Sequence, residues 1–467
     1  MSMELLLNGL PMDSATVSRP AGQARQKCRE TNSWQTPKKE IMTQNRVVVV
    51  AGTRTPFVRA RTVFQKLPAS TLGGVVLRET VARSGIDPGL IEEIHFGIVS
   101  PPAEGTNVAR EALFDSGLPA RIPCTTINRY CASAAEAAAG IAAKILAGQI
   151  EVGLAGGVES ISSVRALFSQ EATDFFQDFA KAKTTAQRLG HFRKFKPTLL
   201  APHAPGISEP TTGLSMGQSA DLMARQFKIG RAEQDEFAAS SHRKAHEAWE
   251  RGFYQSHVVG VATPEGRIID RDTDIRPDTS VEKLSKLRPI FYKDGTITAG
   301  NASPLTDGAS AVLLMSETKA CELGLKPLGA IRSVAVAGVD LQKEPLLIGP
   351  AFAMPKALEK AGITWNDLDL VEMHEAFAGQ VLATIAAIES KEWAKEKLGL
   401  EHAIGKVDRS RLNVNGGSIP LGHPFGATGG RLILQTLHEL QARKKNLGLI
   451  SICAAGGLGL VMVVESI

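Results

Sequence analysis

Short apolar runs alternate with amphipathic stretches along most of this chain. The first run, 46–52, is β-branched and ends at a glycine, which is typical of a buried strand. Helical spacing follows over 72–83, and a second short strand is predicted over 94–99. An alanine-rich helix is predicted over 133–146, and a strand over 152–155 that ends in a glycine pair. Strands that alternate with helices in this way indicate an α/β architecture.

The C-terminal third repeats this order of elements. A helix predicted over 428–440 leads to a strand over 448–453, which ends close to Gly456 and Gly457. Both parts therefore run from an irregular loop through a small-residue helix to a strand and a glycine pair. The pattern indicates a weak internal duplication, visible in the layout more than in residue identity.

The stretch between these parts, 162–289, has a different pattern. It is rich in charge, and it places basic side chains close to phenylalanines and leucines. The residues concerned are Lys181, Lys183, Arg188, Arg193, Lys194 and Lys196, with Phe175, Phe176, Phe179, Phe192, Phe195, Leu199 and Leu200. One interpretation is an amphipathic helix that covers a core. The other is a basic, apolar surface that contacts a membrane or a partner subunit.

The composition limits the class of protein that this sequence can encode. A chain of 467 residues with 43% hydrophobic and 22% charged residues is normal for a soluble enzyme of two or three domains. Its apolar runs are shorter than the ~20 residues that a membrane-spanning helix needs. The net charge of +5 indicates a solvated surface or a weak preference for anionic ligands. Residues 1–44 are mostly polar, and we expect a disordered or non-native extension there rather than a targeting segment, with Met42 as an alternative start.

The cysteines argue against a disulfide framework or a structural zinc site. There are five, an odd number, and no two have Cys-x-x-Cys spacing: Cys28, Cys124, Cys131, Cys321 and Cys453. A reducing compartment fits better, and free thiols are then available for chemistry. We accordingly expect no metal site.

One loop, 415–429, is too constrained to be an ordinary linker. Five glycines and two prolines fix its backbone around His423, just before the helix predicted at 428. Histidine is the side chain best suited to proton transfer near neutral pH. The loop therefore predicts a histidine held rigidly for chemistry.

Two cysteines lie in comparable settings. Cys131 precedes the helix at 133, where unpaired N–H groups and the helix dipole would stabilise a thiolate nucleophile. Cys453 ends a predicted strand and enters a glycine-rich turn, and the carboxyl ends of strands carry reactive groups in α/β proteins. Each cysteine, taken alone, is equally consistent with a buried structural role.

His374 follows a strand predicted over 368–372, and a helix is predicted to begin there. It could donate a hydrogen bond, with Glu375 either orienting it or favouring the helix N-terminus. A zinc motif of the His-Glu-x-x-His type is excluded, because the positions after Glu375 hold Ala, Phe and Ala. The loop 298–309, ahead of a strand predicted over 311–315, could lie along an extended ligand or form a tight turn.

Together these segments resemble the thiolase family, over almost all of 46–467. The matching features are Cys131 before its small-residue helix, Ala-Gly-Asn-Ala-Ser at 299–303, His-Glu-Ala-Phe at 374–377, the loop 415–429, and Cys-Ala-Ala-Gly-Gly at 453–457. Within the family, the chain is most similar to the β-subunits of trifunctional complexes of fatty-acid β-oxidation. Two features indicate this: His374 replaces the Asn of other thiolases, and 181–189 resembles a loop insertion of those subunits.

The resemblance implies the thiolase fold. Two βαβαβαββ halves would form a five-layered α-β-α-β-α sandwich with an inserted loop domain. The expected boundaries are 45–162 for the N-terminal half, 163–303 for the loop domain that covers the substrate, 304–326 for the return to the first half, and 327–467 for the C-terminal half.

The resemblance also implies roles for the candidate residues. Cys131 would be the acylated nucleophile, and His423 would activate its thiol and donate to one oxyanion. Cys453 would be the general acid and base, and His374 would hold a water in the first oxyanion hole. The backbone N–H groups of Cys131 and Ala455 would form the second hole.

Coenzyme A (CoA) contacts are implied for Met216, Ser303 and Phe377. Ser215 stands where many thiolases have His, and Ala455 stands where Gly is usual.

The implied activity is cleavage of 3-ketoacyl-CoA by CoA into acetyl-CoA and a shortened acyl-CoA, with CoA as co-substrate and no permanent cofactor. A biosynthetic acetoacetyl-CoA thiolase and a non-catalytic, thiolase-fold lipid-binding protein are the alternatives. The implied partners are a second copy of the chain, a hydratase/dehydrogenase α-subunit in an α2β2 complex, and a membrane surface, with no nucleic acid. The implied compartment is the cytoplasm of a bacterium or the mitochondrial matrix of a eukaryote.

Overall fold

The computed structural model describes residues 46–165, 167–193, 195–201 and 208–467. The expectation for residues 1–44 therefore lies outside the described part. The strands in these ranges are β1 (Val47–Arg54), β2 (Val58–Arg59), β3 (Glu93–Gly97), β4 (Cys124–Ile127), β5 (Val152–Glu159), β6 (Val261–Ala262), β7 (Ile268–Ile269), β8 (Thr306–Ser316), β9 (Gly329–Gly338), β10 (Leu370–Met373), β11 (Leu447–Ala454) and β12 (Leu458–Glu465).

The helices connect and cover these strands. They are α1 (Ala69–Ser84), α2 (Val108–Ser116), α3 (Ser133–Leu146), α4 (Gln170–Lys181), α5 (Thr185–Phe192), α6 (Met216–Gln226), α7 (Arg231–Glu250), α8 (Val281–Ser285), α9 (Glu317–Glu322), α10 (Gly349–Ala361), α11 (Ala378–Glu389), α12 (Lys391–Leu398), α13 (Ser418–Leu421) and α14 (Thr428–Arg443). None of those in the described ranges is both long and apolar enough to span a membrane.

The strand pairing repeats between the two halves. The main sheet has the order β10-β11-β12-β9-β1-β8-β5-β3-β4, with β2 beside β8. In the first half, β8 is antiparallel to β1 and β5, and β5 is parallel to β3. In the second half, β12 is antiparallel to β9 and β11, and β11 is parallel to β10. The predicted duplication is therefore confirmed, and the two halves meet where β1 pairs with β9.

Three hydrophobic cores separate the layers. Helices α1 and α2 cover the outer face of the first half, and α10 and α11 cover the outer face of the second. Between the halves, α3 and α14 contribute to one shared core, for example through Ile141, Leu434 and Ile450 of β11. Helix, sheet, helix, sheet and helix thus follow one another, as the α/β, five-layered expectation requires.

Gly156 and Gly157 do not end strand β5, as the pattern had predicted. The strand continues through them to Glu159. A Cβ at Gly156 would lie 2.1 Å from the carbonyl oxygen of Ser310, and one at Gly157 would lie 2.0 Å from that of Gly426. These glycines therefore permit close backbone approach, which a sequence pattern does not distinguish from a strand end.

Two further boundaries differ from the prediction. Strand β8 begins at Thr306 rather than 311, so the end of the 298–309 loop is buried strand. The helix expected to start at His374 begins at Ala378 instead. Phe377 is held in an extended conformation and makes a backbone bridge to Ala302, which keeps this segment out of the helix.

Helices α4 and α5 are amphipathic, but they do not cover a core. Ala172 is their one buried residue within the described part. Their aromatic rings contact each other instead, with Phe175 and Phe179 stacked at 6.5 Å and Phe179 edge-on to Phe192 at 5.5 Å. The first interpretation is therefore wrong for α4 and α5, whereas α6 and α7 of the same stretch do cover a core, for example through Met223 and Ala248.

A buried ion pair attaches the segment 163–303 to strand β1. The guanidinium of Arg54 donates to both carboxylate oxygens of Asp272, at 2.7 and 2.8 Å. Asp272 also accepts from the indole N–H of Trp249 at 3.1 Å and from the backbone N–H of Phe57 at 2.7 Å. Both charged side chains are fully buried, so each charge offsets the cost of removing the other from water.

The substitution Asp272→Ala is expected to lower the free energy of unfolding by about 3–5 kcal/mol, because it leaves the Arg54 charge buried without its partner. Denaturant unfolding followed by circular dichroism measures this. The exposed pair of Lys66 and Glu265, 2.7 Å apart, provides the control. We expect less than about 1 kcal/mol for Glu265→Ala, and equal losses for the two variants would contradict the prediction.

Candidate active site

The four candidate side chains lie where elements of both halves end. Cys131 follows β4 and precedes α3 by two residues, and His423 precedes α14 in the corresponding place of the second half. His374 follows β10, and its backbone N–H donates to the carbonyl of Ser451 on β11 at 2.8 Å. Cys453 is the penultimate residue of β11. Cys131, His374 and Cys453 thus lie at or beyond the carboxyl ends of β4, β10 and β11, and His423 joins them from the loop before α14.

Cys131 and the two imidazoles are in direct contact. The Nε2 atom of His423 lies 3.2 Å from the Sγ atom of Cys131. The Nε2 atom of His374 lies 3.1 Å from the same nitrogen of His423. Both histidines are buried, whereas Cys131 is partly exposed. The thiol is therefore the member of the three that solvent can reach, and both rings are enclosed.

Hydrogen bonds on the far side of His423 assign its tautomer. The hydroxyl of Thr428 donates to the carbonyl of Pro424 at 3.1 Å. It therefore accepts from Nδ1–H of His423, at 2.6 Å. This leaves Nε2 unprotonated, with its one lone pair shared between the Cys131 thiol and the ring of His374. An unprotonated nitrogen is the form that a general base needs.

A second set of hydrogen bonds assigns the tautomer of His374. Because Nε2 of His423 carries no proton, its contact with Nε2 of His374 at 3.1 Å requires an N–H on His374. Nδ1 of His374 then accepts from the Ser418 hydroxyl at 2.9 Å, and this hydroxyl accepts from the Arg431 guanidinium, also at 2.9 Å. His374 then carries its proton on Nε2 and donates to His423. When His423 takes the thiol proton, the N–H of His374 becomes available to a water or a substrate oxygen.

Arg431 is buried beneath the site and is itself held in place. It donates to the side-chain oxygen of Gln435 at 3.0 Å, and Gln435 donates to the carboxylate of Glu372 at 3.2 Å. Burial raises the pKa of Glu372 to about 8, while the nearby Arg431 charge lowers it. The guanidinium thus lies in a buried polar network that ends at the histidine pair.

Glu375 does not orient His374, which was one of the two roles considered for it. Its carboxylate accepts from the Ser241 hydroxyl at 2.7 Å, from Nδ2 of Asn413 at 2.7 Å and from the N–H of Ile419 at 3.2 Å. Ser418, rather than Glu375, contacts the ring of His374. Glu375 instead ties α7 to the loop that carries Ser418 and His423.

Burial sets the protonation states of the site. It raises the pKa of Cys131 to about 12, against the lowering effect of the N–H groups of Cys131 and Ala455. It lowers the pKa of His423 to about 3, with a further lowering by the Arg431 charge, and it lowers that of His374 well below the usual value. At neutral pH the site therefore holds a thiol and neutral imidazoles. The N–H groups of Cys131 and Ala455 favour the thiolate as its proton moves to His423 during the reaction.

Cys453 is a second thiol close to the first. It is buried, and desolvation together with the neighbouring Cys131 raises its pKa well above the usual value. It therefore holds a proton that it can give to a stronger base. The turn that follows it is fixed by Glu209, whose carboxylate accepts from the N–H of Gly456 at 2.8 Å. Sequence reasoning missed Glu209, because it lies in no recognisable motif.

Two of the residues expected to contact CoA pack on the same core. Met216 begins α6 and Phe377 precedes α11, and both rest on the hydrophobic core of the second half, as does Phe291. The rings of Phe291 and Phe377 are 6.1 Å apart, and the N–H of Ser303 donates to the carbonyl of Ala376 at 3.0 Å. The three expected residues thus lie on connected segments.

Ser215 caps helix α6. Its hydroxyl accepts from the backbone N–H of Gln218 at 3.2 Å, while the Gln218 side chain accepts from the N–H of Ser215 at 2.9 Å. This capping box accounts for the serine at this position.

Comparison with known proteins gives matches over nearly all of the described chain. The thiolase N-terminal domain matches residues 47–318, and the thiolase C-terminal domain matches residues 325–466. A 3-ketoacyl-CoA thiolase of Yersinia enterocolitica is 45% identical over 423 residues, which cover 90% of this chain and 97% of the relative. One from Vibrio cholerae is 45% identical over 432 residues, which cover 92% of this chain and 99% of the relative.

Solved structures agree with these matches. The acetyl-CoA acetyltransferase of Bacillus anthracis superposes with a TM-score of 0.78 at 34% identity, covering 91% of this chain and 99% of the other. Human mitochondrial 3-ketoacyl-CoA thiolase in complex with CoA superposes with a TM-score of 0.76 at 29% identity, covering 91% and 98%. Domain matches, sequence identity and fold together show that this chain is a member of the thiolase family of acyltransferases.

Proposed function

We propose that this chain is a 3-ketoacyl-CoA thiolase of fatty-acid β-oxidation, which uses CoA to release acetyl-CoA and a shortened acyl-CoA. The observation that carries the proposal is the contact of a thiol with an unprotonated imidazole nitrogen, at 3.2 Å, beside a second thiol. The 45% identity to curated 3-ketoacyl-CoA thiolases supports the same reaction.

The first half-reaction acylates Cys131. Its sulfur attacks the 3-keto carbon as its proton passes to Nε2 of His423. The oxyanion that forms lies on the carbon now bound to Cys131 and faces the backbone N–H groups of Cys131 and Ala455. The bond between C2 and C3 then breaks, and the negative charge passes to the thioester oxygen of the acetyl-CoA enolate, which faces the new N–H of His423 and a water held by His374. The enolate takes a proton at carbon from Cys453. Removal of one such oxyanion donor typically costs about 3–4 kcal/mol in the barrier.

The second half-reaction regenerates the enzyme. The Cys453 thiolate takes the proton of the incoming CoA thiol, and the CoA sulfur attacks the thioester. The N–H groups of Cys131 and Ala455 stabilise the second oxyanion, a role supported by their position against the Cys131 sulfur. The Cys131 thiolate then leaves and recovers its proton from His423. Two half-reactions through an acyl-enzyme give ping-pong kinetics.

Thiolysis of 3-ketoacyl-CoAs from four to about sixteen carbons, measured as kcat/KM, tests the substrate class. We expect activity that persists or rises beyond four carbons. Activity confined to acetoacetyl-CoA would favour the biosynthetic alternative, and the resemblance to the Bacillus acetyl-CoA acetyltransferase makes this the relevant competitor. Absence of any turnover would favour the non-catalytic alternative.

The substitution Ser418→Ala is expected to lower kcat about 10- to 100-fold with little change in KM. Loss of the hydroxyl frees Nδ1 of His374, so that its proton is no longer fixed on Nε2. Steady-state kinetics measure the effect. Ser451→Ala, at a buried serine two residues before Cys453 on β11, is a control with a smaller expected change. Equal losses in kcat for the two variants would contradict a specific role for Ser418.

We propose that Met216, Ser303 and Phe377 contact the pantetheine part of CoA, within a loop domain of 163–303 that covers the substrate. Their connected positions support this. Phe377→Ala is expected to raise KM for CoA more than it changes kcat, because it removes apolar contact from both ground and transition states. A change in kcat alone would contradict the assignment.

We also propose that helices α4 and α5 contact a membrane surface in a bacterial cytoplasm or a mitochondrial matrix. Leu189 and Phe192 are 64% and 59% exposed, beside the basic residues of the same stretch. Large exposed apolar side chains near basic residues are typical of interfacial helices. Sedimentation with anionic vesicles should carry down the wild type but not the Leu189→Glu, Phe192→Glu variant. Equal sedimentation of the two proteins would contradict the proposal.

The proposed assembly is an α2β2 complex of two copies of this chain with two hydratase/dehydrogenase α-subunits. The resemblance of 181–189 to the loop insertion of β-subunits supports it. Co-expression with the cognate α-subunit, followed by light scattering, should give the mass of the heterotetramer. Recovery of this chain as a lone dimer would contradict it.

A further inference from the structure

We propose that Cys131, His374 and His423 also form a reversible binding site for a soft transition-metal ion such as Zn²⁺, and that the bound ion inhibits the enzyme. Their donor atoms all lie within 4.8 Å of one another. The nitrogen of His423 is 3.2 Å from the sulfur and 3.1 Å from the nitrogen of His374. In tetrahedral zinc sites, with bonds of 2.0–2.3 Å, such ligand atoms are about 3.3–3.6 Å apart. The third pair, the sulfur of Cys131 and the ring nitrogen of His374, lies within 4.8 Å, so these two side chains would have to approach each other by about 1 Å to admit the ion.

The donor types suit zinc. One thiolate and two imidazoles form a set that zinc prefers over magnesium or calcium, which favour oxygen ligands. The ion would take the place of the Cys131 proton, which leaves to solvent, so metal and proton compete for the sulfur.

The groups behind the rings also fit a metal site. Histidine ligands that bind through Nε2 require an acceptor for Nδ1–H. Thr428 already accepts from His423. The Ser418 hydroxyl has two lone pairs, of which the Arg431 guanidinium uses one, so the second can accept from His374 when that ring changes tautomer.

The arrangement leaves a fourth position open. Because Cys131 is partly exposed, an ion can arrive from solvent and keep a water or a substrate thiol as its remaining ligand. A metal on Cys131 and His423 blocks both the nucleophile and its base, so the inhibitory part of the inference rests on the proposed function. His374 is the third donor, and the Asn of other thiolases at this position would leave only two strong ones.

Titration of the full-length protein with Zn²⁺ and with Co²⁺ tests the site. We expect one tightly bound ion per chain, a thiolate-to-cobalt absorption band, and loss of thiolysis that a chelator reverses. His374→Asn should weaken binding at least about 10-fold, and Cys131→Ser should remove the band. Wild-type protein acylated at Cys131 should also not bind, which removes the thiolate without any substitution. Cys321→Ala, at an exposed cysteine, is the control and should bind like the wild type.

Equal affinity in the wild type and the His374→Asn variant would overturn the inference, as would loss of binding in Cys321→Ala or an absence of tight binding. The proposed function would be contradicted by a different outcome. A protein that gives the cobalt–thiolate band but shows no thiolysis would retain the metal site and lose the thiolase assignment. An enzyme that catalyses thiolysis and is not inhibited by zinc would retain the thiolase assignment and lose the metal site.

Discussion

Replacement of Cys131 by alanine is expected to lower kcat/KM for thiolysis by about 10⁴-fold or more and to abolish the acyl-enzyme. The proposed first step forms a bond to this sulfur, and no other thiol of the described chain lies 3.2 Å from an unprotonated imidazole nitrogen. Steady-state kinetics measure the loss of turnover. Mass spectrometry of the protein incubated with 3-ketoacyl-CoA, in the absence of CoA, detects the acyl group.

Cys124→Ala is the matched control for this prediction. Cys124 is also a free cysteine that is partly exposed, and it lies on the strand that leads to Cys131. We expect its removal to leave turnover within about two-fold of the wild type, since surface-near substitutions away from a site have small effects. Retained turnover in Cys131→Ala, or acylation of that variant at another cysteine, would refute the assignment of the nucleophile.

Local sequence patterns predicted the bounds of those helices and strands in which one hydrophobic pattern extends over the whole element. Helix α3 occupies the predicted residues, because its alanines and isoleucines keep helical spacing throughout, and β11 differs from its prediction by one residue at each end. Predictions were wrong where a residue's role depends on neighbours that are distant in the sequence. The glycines at 156 and 157 accommodate the carbonyls of Ser310 and Gly426, which no local pattern contains.

The same distinction applies to the site. The glycine-rich loop identified His423, but its contact with Cys131 joins residues 292 positions apart, and only the resemblance to a family linked them. Ser418, Arg431 and Glu209 were not predicted at all. Each acts through a hydrogen bond to a residue that only the fold brings near. For example, Glu209 and Gly456 are 247 positions apart in the sequence. The residues assigned to contact with the substrate lie in recognisable sequence motifs. The residues that hold them in place by hydrogen bonds do not have to lie in such motifs.

Cys453→Ala is expected to lower kcat about 10³-fold, within the range for loss of a general acid and base. Burial and the neighbouring Cys131 keep this thiol protonated, so it can give its proton to the strongly basic enolate carbon. The variant should also lose the exchange of the methyl protons of acetyl-CoA in deuterated water, which nuclear magnetic resonance follows directly. Alkylation of Cys131 by iodoacetamide should persist, because the contact with His423 is unchanged.

Cys453→Ser separates chemistry from packing. A hydroxyl nearly fills the space of the thiol, but serine is a much weaker acid, so proton transfer should fail while the end of β11 stays packed. We expect kcat and proton exchange to fall in Cys453→Ser almost as far as in Cys453→Ala, with unfolding curves close to that of the wild type. If proton exchange survived in both variants, His423 rather than Cys453 would have to move the carbon-bound proton. If it survived only in the serine variant, the loss in the alanine variant would reflect a cavity at this buried position.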